Sequence, residues 1–242
     1  MKDHEGPVWA ERNGLRIIHC WTCGFCHLDP LPTVAWATDY YATSRFYKDF
    51  APMSWFSKET LEHRQGLWEP SYLHQTRLMG CMPFLVDVGC GAGWYVYHWN
   101  RRRSLAFGIE PSLSARLASP VPQFLFKNWN EVDAAFRERA GLSPSGQEGH
   151  LHASLRAALV LEHLPDPRGF LAECHEHLHR EGRLLVIMPN EFNPLQKRIN
   201  RGAHKDWFVA EPHVNYFTPQ SLRGLLRSCG FRVVHETSTF PM

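Results

Sequence analysis

The chain has 242 residues, is 44% hydrophobic and carries a net charge of +2, which suits one α/β domain with an N-terminal extension and a proper core. A near-neutral balance demands neither nucleic acid nor an anionic membrane surface, and no apolar run nears the ~18 residues of a spanning helix. The first ten residues are polar, without a signal-peptide core, and the seven cysteines are scattered and odd in number, so a reducing, cytoplasmic setting is expected rather than a disulfide scaffold.

Val8 to Arg12 and Leu15 to Cys20 flank Asn13-Gly14, a strong hairpin signal. The second strand runs into Cys20-Trp21-Thr22-Cys23-Gly24, followed by Cys26 and His27. C-x-x-C-G has the form of one zinc knuckle, half of a four-ligand site. Upstream, only Asp3, His4 and Glu5 offer further ligands. One reading is a site from His4, Cys20, Cys23 and either Cys26 or His27. The other, which we take as the expectation, is no metal: buried thiols, with Trp21 and Phe25 packing on the main domain. Pro30 and Pro32 close this module, residues 1–32. Residues 33–80 are rich in aromatics, among them Trp36, Tyr40, Tyr41, Trp68 and Tyr72. They read as short helices capping the mouth of the main sheet, which residues 81–242 would form.

Phe84, Leu85, Val86 and Val88 make a short apolar run that reads as a buried parallel strand. It carries Asp87 and ends in Gly89-Cys90-Gly91-Ala92-Gly93, and Trp94 to Arg103 then reads as a helix. Such a turn lets a nucleotide lie against bare backbone near a helix N-terminus. The spacing is G-x-G-x-G, not the dinucleotide fingerprint G-x-G-x-x-G. A second apolar run, Leu105 to Ile109, ends in Glu110-Pro111-Ser112. That places a carboxylate where it can take both hydroxyls of a ribose. Ser112 to Ala118 is a predicted helix, Gln123 to Phe126 a third strand and Val132 to Ala140 a helix.

Ser143-Pro144-Ser145-Gly146 marks a loop. The fourth strand is expected over Leu155 to Leu161, with Arg156 an unexplained interruption. Asp166-Pro167 is a helix start. Phe170, Leu171, Cys174 and Leu178 give that helix an apolar face, while His175, His177 and His179 read as solvated. Leu184 to Met188 is the fifth strand. A long connection follows, and Thr218-Pro219 starts a helix bearing Leu222, Leu225, Leu226 and Cys229. Phe231 to His235 is the expected sixth strand. Glu236 to Met242 is then too short for the inserted seventh strand that this architecture normally carries.

The glycine turn with Asp87 and Glu110, then Val160-Leu161-Glu162-His163-Leu164-Pro165-Asp166-Pro167, Met188-Pro189-Asn190 and Pro212-His213-Val214-Asn215-Tyr216-Phe217-Thr218, resemble class I S-adenosylmethionine (SAM) methyltransferases. More narrowly they resemble bacterial small-molecule methyltransferases with a cysteine knuckle ahead of the domain. The resemblance implies an α/β, Rossmann-like sheet with helices on both faces, SAM as cofactor, and methyl transfer to a small-molecule acceptor. It places SAM against Asp87, Gly89, Cys90, Gly91, Ala92, Gly93, Glu110, Pro111 and Leu161, with adenine at Asn128. In similar proteins an aspartate commonly begins the fourth strand; Ala153 stands here. His163 is the candidate base by its place at a strand end and its titration near pH ~6.5, with Glu162 to orient it. His213 and Tyr216 are further catalytic candidates. Lys197, Arg198, Arg201 and Lys205 suit an anionic acceptor. No basic stripe suggests RNA. The competing reading is a non-catalytic SAM-fold module that binds or scaffolds a partner.

Overall fold

The computed structural model describes residues 4–12, 14–43, 71–80, 84–102, 105–142, 152–190, 193 and 213–238. Its main sheet is parallel and five-stranded: β4 (Phe84–Val88), β5 (Leu105–Ile109), β6 (Leu125–Phe126), β7 (His152–Ala158) and β8 (Leu178–Ile187), in the order β6-β5-β4-β7-β8. A smaller antiparallel sheet holds β1 (Val8–Arg12), β2 (Leu15–His19), β3 (Cys26–Asp29) and β9 (Asn215–Tyr216), in that order. The helices are α1 (Val34–Ala42), α2 (residues 71–79), α3 (Trp94–Arg102), α4 (Leu113–Leu117), α5 (Trp129–Ala140), α6 (Pro167–His177) and α7 (Pro219–Ser228). Among the described residues no helix is long and apolar enough to cross a membrane.

The central strand shows why helices cover both faces. β4 is buried along its whole length, and alternate side chains go to opposite layers. Phe84, Val86 and Val88 pack with Phe107, Trp129, Val132 and Cys174, the layer under α5 and α6. Leu85 packs with Met79, Tyr95, Val96 and Trp99, the layer under α2 and α3. Asp87 falls on this second face, and that accounts for Arg156. The two residues are register partners on β4 and β7. Arg156 Nη1 donates to Asp87 Oδ1 at 2.6 Å and Nε to Gln75 Oε1 at 2.8 Å. Its guanidinium lies over the Tyr95 ring, 4.2 Å from the centroid. The interruption in the apolar run is therefore a buried ion pair with a cation–π contact.

Several boundaries differ from those read in the sequence. The fourth strand spans His152–Ala158 and stops early because Leu159 takes φ 59. The fifth begins at Leu178, directly at the end of α6, with an irregularity between the pairs His152↔Leu178 and Ser154↔Arg183. Residues 231–238 form no ladder, so among the described residues the sheet ends at β8 and the expected sixth strand does not pair with it. Phe231 instead packs on the core below α7, and Glu236 pairs with Arg223. Helix α5 begins three residues earlier than expected. Asn128 caps it by accepting from the Glu131 N–H at 3.1 Å, while the Glu131 carboxylate accepts from the Lys127 N–H at 2.7 Å.

His177 is not solvated. It stacks on Trp129 at 4.1 Å between centroids and lies 3.2 Å from Asp133. His152, fully buried, holds the other Asp133 oxygen at 2.7 Å. This cluster joins the start of β7 to the end of α6, at the opposite end of the strands from the glycine turn.

The expected hairpin forms between β1 and β2, with Arg12 opposite Leu15. Phe25 packs on Phe217, 4.7 Å between centroids, within the core shared with Leu161, Leu171 and Leu225. Trp21 does not pack there; it is 73% exposed. β3 and β9 were not foreseen.

Candidate active site at the sheet mouth

The carboxyl ends of β4, β5 and β7 converge on the glycine turn. The Gly89 and Cys90 N–H groups both donate to the Ile109 carbonyl, at 2.8 and 3.0 Å. The Gly91 N–H donates to Glu110 Oε2 at 3.0 Å, and the Ser112 N–H to Glu110 Oε1 at 2.9 Å. Glu110, only 4% exposed, is thus fixed against the turn by backbone on both flanks. Two of the glycines have separate reasons. Gly89 has φ 71, and a Cβ there would sit 2.6 Å from Val160 Cγ2. Gly91 has φ 57, which a branched residue adopts only under strain. The donor chemistry fits a nucleoside: a bare-backbone turn at the start of α3, beside a buried carboxylate at the tip of the next strand.

The other cofactor candidates divide. Ala92 is buried in the turn. Pro111 follows Glu110, and its carbonyl accepts from Arg116 at 3.1 Å. Burial first, then the Asp87 and Glu110 carboxylates, push the Cys90 thiol well above its ordinary range, so it remains a neutral lining group. Asp87 does not face the mouth; it is 1% exposed and tied to Arg156 beneath the turn. Leu161 has no exposed side chain and belongs to the core with Leu171 and Leu225. The Asn128 side chain is engaged as the α5 cap.

Beyond β7 the backbone makes a sharp departure. Leu159, 58% exposed and in the left-handed region, is held by its N–H on the Ile187 carbonyl at 2.8 Å. Its strain aims the following turn, Leu161–His163, across the mouth. Glu162, His163 and His213 meet there, their ligating atoms all within 4.8 Å of one another. The His163 and His213 rings are 4.8 Å apart at 76°. His213 reaches this place because β9 is tied to the turn: Val214 N–H donates to the Glu162 carbonyl at 2.7 Å, and Asn215 Nδ2 to the Leu161 and Leu164 carbonyls at 2.9 and 2.6 Å. Tyr216, by contrast, is buried in the small-sheet core with Ile17 and Leu28, its hydroxyl on the His213 carbonyl at 3.1 Å. It packs in that core and lies outside the Glu162–His163–His213 group.

Two contributors escaped the sequence reading as individuals. Tyr41, on α1, lies edge-on to His163 at 6.0 Å. Burial, then Tyr40, Glu162 and Glu110, push its phenol far above the usual range, so it stays a neutral donor above the cleft. Asn215, which the sequence showed only as part of a longer motif, holds two carbonyls of this turn. The basic residues Lys197, Arg198, Arg201 and Lys205 lie outside the described residues.

The comparisons agree with this geometry. The family described as a methyltransferase domain matches residues 83–236. A SAM-dependent methyltransferase of Thermotoga maritima shares the fold with a TM-score of 0.52, at 16% identity over 80% of this chain and 82% of its own. A SAM-dependent methyltransferase of Archaeoglobus fulgidus aligns with a TM-score of 0.46 and 16% identity, over 73% of this chain and 70% of its own. No curated protein matches the sequence. With a methyltransferase-domain match over well more than half its length, laid on a Rossmann-like sheet with its glycine turn, the chain belongs to the SAM-dependent methyltransferases.

Proposed function

We propose that the enzyme methylates a small-molecule acceptor held at the Glu162–His163–His213 cluster, with SAM lying between the glycine turn and Glu110. The observation that carries this reading is the convergence of those three side chains at the turn that follows the carboxyl end of β7. SAM supplies a methyl group on a sulfonium, an electrophile that needs no metal or redox partner to react. The protein's part is to align the acceptor, exclude water and, where the acceptor carries a proton, remove it. His163 is the base: it is partly exposed toward the cleft and flanked by His213. Glu162, 2% exposed, stabilises an imidazolium formed there. Tyr41 covers the cleft and helps keep water out. The Gly91 N–H holds Glu110 where both hydroxyls of a ribose can meet it.

The test is incubation with methyl-labelled SAM and a metabolite extract, followed by mass spectrometry of the labelled product. We expect one labelled small molecule, formed ~10²–10⁴-fold more slowly by His163→Ala, the usual worth of a general base, at unchanged SAM affinity. Unaltered turnover in His163→Ala refutes the role of His163. Stoichiometric SAM binding without transfer to any extract component favours the non-catalytic module.

A further inference from the structure

We propose that His4, Cys20, Cys23 and His27 bind one structural zinc ion. The ligating atoms of these four side chains all lie within 4.8 Å of one another. The three separations measured from His4 match the edges of a zinc tetrahedron. Zinc with Zn–S of about 2.3 Å and Zn–N of about 2.05 Å requires edges of roughly 3.6 Å between sulfur and nitrogen and roughly 3.3 Å between two nitrogens. His4 Nδ1 lies 3.7 Å from Cys20 Sγ and 3.4 Å from Cys23 Sγ, and 3.2 Å from His27 Nε2. Two thiolates cancel the charge of the ion, so the half-buried site is neutral overall.

The surrounding backbone is arranged for this purpose. The Cys23 N–H points at Cys20 Sγ, 3.4 Å away, and the Gly24 N–H donates to the Cys20 carbonyl at 2.9 Å, with Gly24 at φ 77. These bonds make the knuckle. The N-terminal segment is laid beside it by Trp21 N–H on the Glu5 carbonyl and His19 N–H on the Pro7 carbonyl, at 3.0 and 2.9 Å. That is what carries His4 to the thiols. The fourth ligand is chosen by strand alternation. Cys26 faces the small-sheet core with Ile17 and Tyr216, so its neighbour His27 faces the opposite side. His27 is fully buried, and its Nδ1 is 2.7 Å from the Leu28 carbonyl. This bond fixes the tautomer with the proton on Nδ1 and leaves the Nε2 lone pair aimed at the cluster, the outer-shell arrangement of a metal-bound histidine.

The ion answers a stability problem. Among the described residues the small-sheet core holds Ile17, Cys26, Leu28, Val214 and Tyr216 as its buried members, and a module of that size commonly needs a staple. Of the two readings that the sequence left, the geometry favours the one with His4, Cys20 and Cys23, with His27 rather than Cys26 as the fourth ligand, and the proposal replaces the expectation of metal-free thiols.

The experiment is elemental analysis of the full chain, expressed without a histidine tag and purified without added metal or chelator. We expect about one zinc per chain in the wild type, near zero in Cys20→Ser/Cys23→Ser, and retention in Cys26→Ser. Replacement by cobalt should give the intense visible bands of a tetrahedral thiolate site. Substoichiometric zinc in folded wild-type protein, with no such cobalt spectrum, overturns the proposal, as does full zinc in the double variant. The wild-type measurements remain decisive even if the double variant fails to fold.

Discussion

Removing Arg156 should expose how much of the main domain depends on one buried charge pair. Arg156→Met keeps most of the side-chain volume and leaves Asp87, 1% exposed, with no guanidinium opposite. Breaking a buried pair in this way costs about 3–5 kcal/mol, and loss of the Tyr95 contact adds roughly 0.5–2 kcal/mol. With a urea dependence of ~2 kcal/mol/M, the unfolding midpoint should fall by ~1.5–2.5 M or more. The pH dependence is a sharper readout. Burial raises the Asp87 pKa in the folded state, against the opposing pull of Arg156. A folded-state pKa above the unfolded one means the native state binds the extra proton, so stability falls as pH rises from the unfolded value of ~3.9 through the folded one. Without Arg156 that folded value climbs further. The deficit of Arg156→Met should therefore be largest at pH 8 and shrink toward pH 4, and Asp87→Asn on the same background should recover most of it. Urea titrations at both pH values decide the matter. A midpoint shift below ~0.5 M, or a deficit that is the same at pH 4 and pH 8, refutes the assignment.

Glu110→Ala should weaken SAM binding by ~1.5–3 kcal/mol, the usual range for a hydrogen bond to a charged group; an unchanged dissociation constant by calorimetry in folded protein would falsify the placement of the ribose. Gly91→Val forces a branched side chain onto φ 57 and should abolish SAM binding while circular dichroism shows the fold retained; ordinary affinity in this variant removes the turn from the site. At Asp133, desolvation works upward, but the hydrogen bonds from His152 and His177 overcome it and bring the pKa down to about 2. A depressed acid stabilises above its unfolded value and loses that contribution as pH falls, so the stability gap between wild type and Asp133→Asn should narrow between about pH 4 and pH 2. A gap that is constant across that range contradicts the cluster.

The parts of the fold legible in the sequence are those with a dense local signal. Phe84 to Val88 and Leu105 to Ile109 are continuous apolar runs, and strands buried on both faces leave that trace. The glycine turn and the carboxylate after β5 followed from their positions relative to those runs. Asn128 carried a readable signal too: an asparagine three residues before a glutamate is a helix start, and the cap accounts for it more directly than the cofactor does. What could not be read depends on partners far along the chain. Arg156 looked like an error until Asp87 and Gln75 stood beside it. β9 has two residues, too few for any periodicity, and its identity lies in the edge of β3 that it completes. His4 could be named only as one possible ligand in a polar stretch without a pattern, and the backbone bonds of residues 5 and 7 to the knuckle are what bring it to Cys20.

The pairing of β3 with β9 also sets an order of events during synthesis. His27 finds Asn215 about 190 residues later, a delay of roughly 10–40 s at ribosomal speed. Until then the Cys26–Asp29 edge lacks its β9 partner, and the carbonyls of Leu161 and Leu164 lack the Asn215 amide that holds the turn between them. The nascent chain can assemble its glycine turn and the first parallel strands early, whereas the meeting of Glu162, His163 and His213 waits for the segment that carries Asn215.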